Sequence, residues 1–471
     1  MSAKLSDLLA AMPEAAGEEG AAPRDRLIEI LADVARRPVP TGSLHRLCSM
    51  SDLSAQVALA YFFWWVRQWF EGAEAGQRHL VETNLGVALK IFHRLGYLRG
   101  MLTKLGQAAA SLPHLFPDEV IATLERLHFD VPPMHYSLIR EVLSDELGAD
   151  PDRIFASFER QAFAAASLGQ VHRARLKTGE AVAVKIQYPG IARTIDADFR
   201  NIGALLFPFR LTRGWDELKA IFEEVRRMLA QEVDYEQEAN AARRARTLFR
   251  PDDGLVVPKV YAPYSTQRVL TTDFLAGQHL DAFLASNPRQ DLRDAFGTKI
   301  YHAWVRLYYA YMGYGDSHSG NYIFMEDGRL GLIDFGCIQN YGEEESARVR
   351  FSDRLRDAPE EARAFIRHSL TLSGDDPDLE KFTRLTEDYV NWVCEPFRQS
   401  GPFDFGEQSH LQRGVDWLGR MIRERRSPVH PMYFYWNRGA FGLTALLYRL
   451  RARVDVGRLM EHESGMLHHR G

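Results

Sequence analysis

Cysteine is nearly absent. The three present, Cys48, Cys337 and Cys394, lie far apart in the 471 residues and form no C-x-x-C pair. That excludes a disulfide framework and points to a reducing compartment. There is no excess of basic residues either. Lys and Arg number 58 against 63 Asp and Glu, a formal charge of −5. Such a balance lacks the overall positive field of a general nucleic-acid binder, so no nucleic-acid partner is expected. Long apolar runs are missing. The most apolar one, VALAYFFWWV from Val57 to Val66, ends at Arg67 and has about half the length needed to span a bilayer. The N-terminus lacks a charged segment followed by a long apolar core, so no signal peptide is expected. A cytoplasmic protein, soluble or held at a membrane surface, is the expectation. What remains is ordinary globular material, 46% hydrophobic and 26% charged, long enough for two or three packing units.

Residues 10–24 are rich in Ala, Gly and Glu and read as a flexible leader. From about 25 to 100 the pattern is helical, with Leu27, Ile28, Ile30, Leu31 and Val34 at helical spacing. Residues 84–112 continue as helix up to Pro113 and Pro117. A further helix is expected over 136–147. Phe163–Ala174 and Ala181–Gln187 then read as two strands of a hairpin joined by the turn Lys177-Thr178-Gly179-Glu180. A long helical stretch follows over 216–249, with short strands at 255–261 and 267–274. From about 290 the chain reads as mostly helical, except at 320–338, where two short strands flank Glu326-Asp327-Gly328. This order predicts an α+β fold: a helical extension, a small β-rich lobe with one main helix, and a larger helical lobe. The limits read as 1–84, 85–135, 136–275 and 276–471.

The strongest chemical signal is at 316–336. Asp316-Ser317-His318-Ser319-Gly320-Asn321 has the D-x-x-x-x-N spacing of a kinase catalytic loop, and Asp334-Phe335-Gly336 follows thirteen residues after Asn321. Phosphoryl transfer needs hard oxygen ligands for Mg²⁺, and the Asn321 amide and Asp334 carboxylate supply them. A D-F-G triplet alone often marks only a turn; the two spacings together carry the reading. Val182-Ala183-Val184-Lys185 matches the strand whose lysine pairs the α- and β-phosphates of ATP.

Other features depart from an ordinary protein kinase. No G-x-G-x-x-G is present. Its place is taken by Ala164-Ala165-Ala166-Ser167-Leu168-Gly169-Gln170. Backbone N–H groups of such a loop still face phosphate, but alanine removes freedom at positive φ and adds methyl groups beside the nucleotide. In Glu232-Val233-Asp234-Tyr235-Glu236-Gln237-Glu238, Asp234 and Glu238 are four apart and share a helix face; either is placed to pair with Lys185. Glu232 and Asp234 lie about 200° apart on a regular helix. One lysine reaches both only if the helix breaks between them. Lys104-Leu105-Gly106-Gln107 lies in the upstream helical region, where Gly106 costs about 1 kcal/mol against alanine and hints at close packing.

Together these residues resemble the ABC1/UbiB (AarF) family of atypical kinases, most nearly its coenzyme Q branch, over roughly residues 85–460. The matching pieces are Lys104-Leu105-Gly106-Gln107, Phe163 to His172, Val184 to Gly190, Glu232 to Tyr235 with Glu238-Ala239, Asp316, Asn321 and Asp334-Phe335-Gly336. Pro402-Phe403-Asp404-Phe405-Gly406 looks like a marker of the coenzyme Q branch. The resemblance implies a two-lobed protein-kinase-like fold whose N-terminal helical extension caps the active site. It implies that Lys104 meets Glu232 and Asp234, that Glu238 pairs with Lys185, that Asp316 sits at the catalytic-base position, and that Asn321 and Asp334 bind Mg²⁺. Tyr314-Gly315 stands where the family usually has His-Arg or His-Ala, and Ser317 and Ser319 stand where many bacterial members carry proline.

The function so implied is an ATP- and Mg²⁺-dependent atypical kinase or ATPase supporting ubiquinone or other isoprenoid lipid biosynthesis. The alternatives are a small-molecule or lipid kinase, and a nucleotide-gated scaffold. Implied partners are ATP, isoprenoid lipid or quinone precursors, and a membrane surface. For the membrane the candidate is Val57–Phe70, whose Tyr61, Trp64, Trp65 and Trp69 suit the lipid–water boundary, set against the commoner reading that aromatics at helical spacing fill a core. His318 reads as a loop-packing residue and Arg423-Glu424-Arg425-Arg426 as a solvated face.

Overall fold

In the computed structural model, the described residues are 134–166, 168–192, 229–315, 317–343, 362–424 and 432–468, with single positions between 195 and 227 and Ser346. The chain divides into two compact units, and every described residue except Phe199 belongs to the one built from Ala108–Ile121, Pro133–Asp196 and Leu211–Gly471. The helical leader and extension, Lys104, Ser167, Asp316, the aromatic stretch Val57–Phe70 and the capping role drawn from the resemblance lie outside the described residues.

The expected helix over 136–147 is present as α1, Tyr136–Leu147. Its buried Ile139, Val142 and Leu143 fall at i, i+3 and i+4, one face of a helix. It stops at Gly148, whose φ of 74° lets its N–H reach back to Ser144 O. A single-turn helix α2, Pro151–Ile154, capped by Asp150, leads into the sheet. The sheet holds β1 (Phe155–Phe158), β2 (Ala164–Ala166), β3 (Gly169–Leu176) and β4 (Ala181–Gln187). After α3, Tyr235–Leu248, and β5, Leu255–Val256, it is completed by β6, Val269–Asp273. The order is β1-β3-β4-β6, with β2 also on β3, and every pairing is antiparallel.

Period-2 alternation gives the sheet two faces. Ala174, Leu176, Val182, Val184 and Ile186 are buried in one cluster with the apolar stripe of α1. Val171, Arg173, Ala183 and Lys185 take the other face, since Val171 pairs with Lys185 and Arg173 with Ala183. The β3–β4 turn forms as read, with Gly179 at φ 106°. The single strand expected over Phe163–Ala174 does not. It folds back on itself, Ala166 pairing with Gly169, because Gly169 allows an approach no other residue permits. A Cβ there would lie 2.3 Å from Ile186 O and 2.9 Å from the Tyr235 hydroxyl.

The segment Phe274–His279 connects the sheet to α4, Leu280–Ala285. It is held by reciprocal backbone hydrogen bonds between Gln278 and Phe324. Gly277 presses so close that a Cβ would meet Ile323 Cγ2 and Phe324 O, each at 2.6 Å. The remainder is mostly helical around the buried α5, Gln290–Tyr309. The two strands expected in 320–338 are β8 (Tyr322–Phe324) and β9 (Leu330–Leu332), joined through Gly328 at φ 82°. Before them comes β7, Met312–Tyr314, and after them β10, Ile338–Asn340, which pairs with β7. Next come α6 (Ala362–Ser369), α7 (Leu379–Arg398), β11 (Phe403–Asp404), α8 (Gln408–Arg423), α9 (Met432–Leu450), β12 (Arg453–Val454) and α10 (Val456–His468).

The strands β7, β10, β11 and β12 add to the mostly helical reading around them. Each has two or three residues, too few to show a period, and each exists because a distant partner pairs with it. Within Pro402–Gly406, Phe403 and Phe405 are buried in the core. Asp404 accepts from Gly406 N–H at 2.9 Å and from Arg453 Nε at 3.1 Å. The segment is a core turn.

Candidate active site

Lys185 projects from β4 with buried Val184 and Ile186 on either side. Its Nζ donates to Glu238 Oε1 at 2.9 Å and Oε2 at 2.8 Å, and reaches Asp334 Oδ2 at 3.4 Å. The Tyr235 ring lies beneath the ammonium, 5.0 Å from Nζ. Three parts of the chain far apart in sequence therefore meet at one cation.

Glu238 reaches Lys185 because the long helix expected over 216–249 is broken. Residues 229–232 are helical, Val233 is in a turn, and Asp234 begins α3 as its cap, accepting from Gln237 N–H at 3.1 Å. The break is pinned from β4. The buried Gln187, two residues beyond Lys185, donates Nε2 to Val233 O at 2.6 Å and to Gln267 O at 3.1 Å. Of the two acids open to pair with Lys185, Asp234 is spent on the cap and Glu238 takes the lysine. Glu232, on the far side of the break, has Oε1 3.7 Å from Cys337 Sγ.

Asp334 is fixed by its own turn. Its Oδ1 accepts from Gly336 N–H at 2.9 Å, and its carbonyl accepts from the Tyr314 hydroxyl at 3.2 Å. Phe335 is buried with its ring edge-on to Tyr314, the centroids 6.3 Å apart. Tyr314, noted in the sequence only as a departure, thus holds the Asp-Phe-Gly backbone in place. Asn321 ends a short 3₁₀ turn, Ser319–Asn321, at which His318 accepts from Gly320 N–H at 3.1 Å. Asn321 O accepts from Ile333 N–H at 3.1 Å, which sets Asn321 beside the residue preceding Asp334. Ala164, Ala165 and Ala166 form β2 and cover β3 next to Val171, the cross-strand neighbour of Lys185. Gln187 and Tyr235 lie within the matching motifs, and Tyr314 and Cys337 lie beside them, but the sequence assigns none of the four a role.

One ammonium here faces two carboxylates. Burial works against the Lys185 charge, but Asp334 and Glu238 outweigh it and hold the ammonium well above the ordinary lysine range. Burial pushes the Glu238 carboxyl up to about 7 against the pull of Lys185, with Asp334 adding to the rise. Burial likewise keeps the Tyr235 phenol protonated. The surplus of negative charge favours a divalent cation. The side chain of Asp334 is 34% exposed and that of Glu238 only 4%, so Asp334 is the carboxylate open to a ligand. Among the described residues no group of three His, Cys, Asp or Glu side chains is gathered to hold a metal alone. That donor set suits Mg²⁺, which binds through one or two protein oxygens plus substrate phosphate.

The chain is similar to known proteins over most of its length. Residues 126–352 match the model of the ABC1 atypical kinase-like domain. The chain is 28% identical to atypical kinase COQ8B, mitochondrial, of Danio rerio, over 89% of this chain and 68% of that protein. It is 26% identical to atypical kinase COQ8, mitochondrial, of Saccharomyces cerevisiae, over 90% of this chain and 85% of that one. It spans only about a third of two other curated relatives, 36% and 34% of their lengths. Among solved structures it is similar to Rv3197 of Mycobacterium tuberculosis, described in complex with erythromycin. The TM-score is 0.51 at 27% identity, covering 82% of this chain and 97% of that one. The lysine, the Asp-Phe-Gly turn and the helix acid all fall inside the matched stretch, so the chain carries an ABC1 atypical kinase-like domain over residues 126–352.

Proposed function

We propose that this chain binds Mg-ATP against the Lys185 face of its sheet and turns it over as an atypical kinase or ATPase supporting ubiquinone or another isoprenoid lipid pathway. The observation that carries this reading is Lys185 Nζ shared between Glu238 and Asp334. Lys185 would hold the α- and β-phosphates, oriented by Glu238. Asp334 and Asn321 would hold Mg²⁺, which supplies charge neutralisation at the phosphate oxygens when bound. Ala164–Ala166 with Ser167 would cover the phosphates, and Asp316 would take the catalytic-base position. Lys104 belongs to this reading as the partner of Glu232 and Asp234, contributed by a cap over 85–135 that follows the leader and extension at 1–84. The sheet-bearing lobe runs over 136–275 and the helical lobe over 276–471.

The relatives named as COQ8 proteins support the quinone link, and their mitochondrial labels fit work near a membrane. Among the described residues no helix is long and apolar enough to cross a membrane, so contact with lipid would be peripheral. The test is Asp334→Asn, which keeps the shape and removes the charge facing the metal. Mg-ATP should stabilise the wild type in a thermal-shift titration and leave the variant unshifted, with hydrolysis abolished. Equal Mg-ATP stabilisation of both proteins would overturn the assignment. Labelled γ-phosphate recovered in a small molecule, in place of free phosphate, would turn the reading to a metabolite or lipid kinase.

A further inference from the structure

Two polar side chains sit where the sheet is otherwise apolar. Along β3 the alternation turns Gln170, His172, Ala174 and Leu176 to one face and Val171 and Arg173 to the other. The first is the face opposite Lys185, where Ala174 and Leu176 join the cluster packed on α1. Gln170 and His172 are buried beside them. Buried polar groups need partners, and these two find theirs in series. His172 Nδ1 lies 2.8 Å from Glu159 O. A carbonyl only accepts, so Nδ1 carries the proton and Nε2 is left as an acceptor. Gln170 Nε2 lies 2.8 Å from His172 Nε2 and donates to it. The Gln170 amide is thereby oriented, and its Oε1 accepts from Met134 N–H at 2.8 Å. One relay thus runs in one direction from Met134, at the start of α1, to Glu159, between β1 and β2. Gln170 is also the register partner of Ala165 on β2.

The relay has a second state, reached by one proton. Protonated His172 carries N–H on both ring nitrogens. Nδ1–H keeps Glu159 O, but Nε2–H then faces the Gln170 NH2, donor against donor. The amide relieves this by turning its oxygen to His172, and the NH2 it then presents to Met134 N–H is again a donor. The proton that charges the ring therefore breaks the bond to Met134. The ring's surroundings are apolar: Phe158 stacks on it at 5.0 Å, Val184 is its cross-strand neighbour, and α1 brings Ile139, Val142 and Leu143 to this face. Glu159 is the charged group acting on it. Burial outweighs the pull of Glu159 and holds the imidazole below the ordinary histidine range. The relay is closed at neutral pH, and its break belongs to acid.

We propose that Gln170 and His172 form an acid-opened latch that fastens the chain at Met134 to β3, on the face of the sheet opposite Lys185. This deepens the reading above by giving it a regulatory element. It rests on that reading only for what is held: upstream of Met134 the chain carries Lys104-Leu105-Gly106-Gln107, the segment assigned there to the cap. Closed, the latch sets where that chain enters the sheet-bearing lobe, next to the partner of Ala165. Open, it releases the entry point.

The test follows hydrogen exchange at the Met134 amide in the full chain without nucleotide, from neutral into acid pH, each rate divided by the intrinsic rate at that pH. The ring proton resonances of His172 report its charge. In wild type the corrected exchange should quicken about fivefold as His172 protonates, the size of one lost hydrogen bond. Gln170→Met removes donor and acceptor together and should exchange at the fast rate throughout. Gln170→Glu should reverse the sign. Its carboxylate accepts from Met134 N–H and from protonated His172 at once, so that latch closes in acid and opens as the ring loses its proton. A side chain that only filled the core could not invert the profile. Should Gln170→Glu fail to fold, the wild-type titration decides. Constant wild-type exchange while His172 titrates overturns the latch. So does a His172 that stays neutral until the chain unfolds, or a Gln170→Glu profile that follows wild type. None of these touches Mg-ATP binding. Failure of Mg-ATP to stabilise the wild type overturns the nucleotide reading and leaves the latch standing.

Discussion

Replacing Lys185 with methionine tests the electrostatics of the site without any ligand. Methionine has similar length and no charge, so it fills the space and leaves the buried carboxyl of Glu238 without its cation. A carboxyl whose folded pKa lies above its unfolded value keeps an extra proton only in the fold. The stability it contributes is complete below the unfolded pKa and is lost as pH rises through the folded one. In the wild type that window runs from 4.5 to about 7. Removing the ammonium deletes the main attraction opposing burial, so the upper edge moves above 7. The two proteins should lose stability in parallel up to neutrality. Beyond it the wild type levels off, while Lys185→Met continues to lose about 1.4 kcal/mol per pH unit. The gap should widen by about 2 kcal/mol between neutrality and roughly pH 8.5. Urea denaturation in buffers free of nucleotide and Mg²⁺ measures it, with Glu238→Gln added to Lys185→Met to abolish the slope. Parallel curves through the alkaline range would show that Lys185 does not hold the Glu238 charge.

Three further perturbations have defined outcomes. Gly169→Ala places a Cβ 2.3 Å from Ile186 O and 2.9 Å from the Tyr235 hydroxyl. It should cost about 3 kcal/mol in urea denaturation, and adding Tyr235→Phe should recover little, because the nearer obstacle is backbone. Gln187→Met removes the donor to Val233 O; Gln267 O keeps the Tyr235 N–H at 3.2 Å. A loss of about 1–2 kcal/mol should therefore come with faster hydrogen exchange confined to residues 232–238, and uniform exchange would deny Gln187 its hold on the break. Glu463 of α10 is buried, yet hydrogen bonds from His302 and Arg306, with the Arg306 charge, outweigh that burial and bring its carboxyl down to about 2 from 4.5. This stability is present above pH 4.5 and is lost as pH falls toward 2, so Glu463→Gln should cost about 3 kcal/mol at neutral pH and flatten the acid limb of the unfolding curve.

The sequence by itself determined what depends on neighbours along the chain. Gly179 and Gly328 mark turns that only a positive φ closes, and the alternation in 181–187 gives β4 with Lys185 on one face. The spacing from Asn321 to Asp334 places one short hairpin between two candidate metal ligands, and β8 and β9 form it. The stripe of α1 was legible for the same reason, since helical period and burial coincide there. Tertiary structure decided the rest. Helix period allowed Asp234 or Glu238 to face Lys185. The choice fell to a glutamine on β4, which draws Val233 out of the helix and makes Asp234 a cap. The strand read over Phe163–Ala174 became two because Gly169 must pass against Ile186 O, a contact made across strands. Tyr314 is in the sequence a mere departure; its hydroxyl donates to Asp334 O, twenty residues on. Local pattern fixes dihedral preferences and the faces of elements. Which polar group satisfies which is settled only when segments distant in sequence are buried together, because a buried charge or carbonyl left alone costs more than the local preference it overrides.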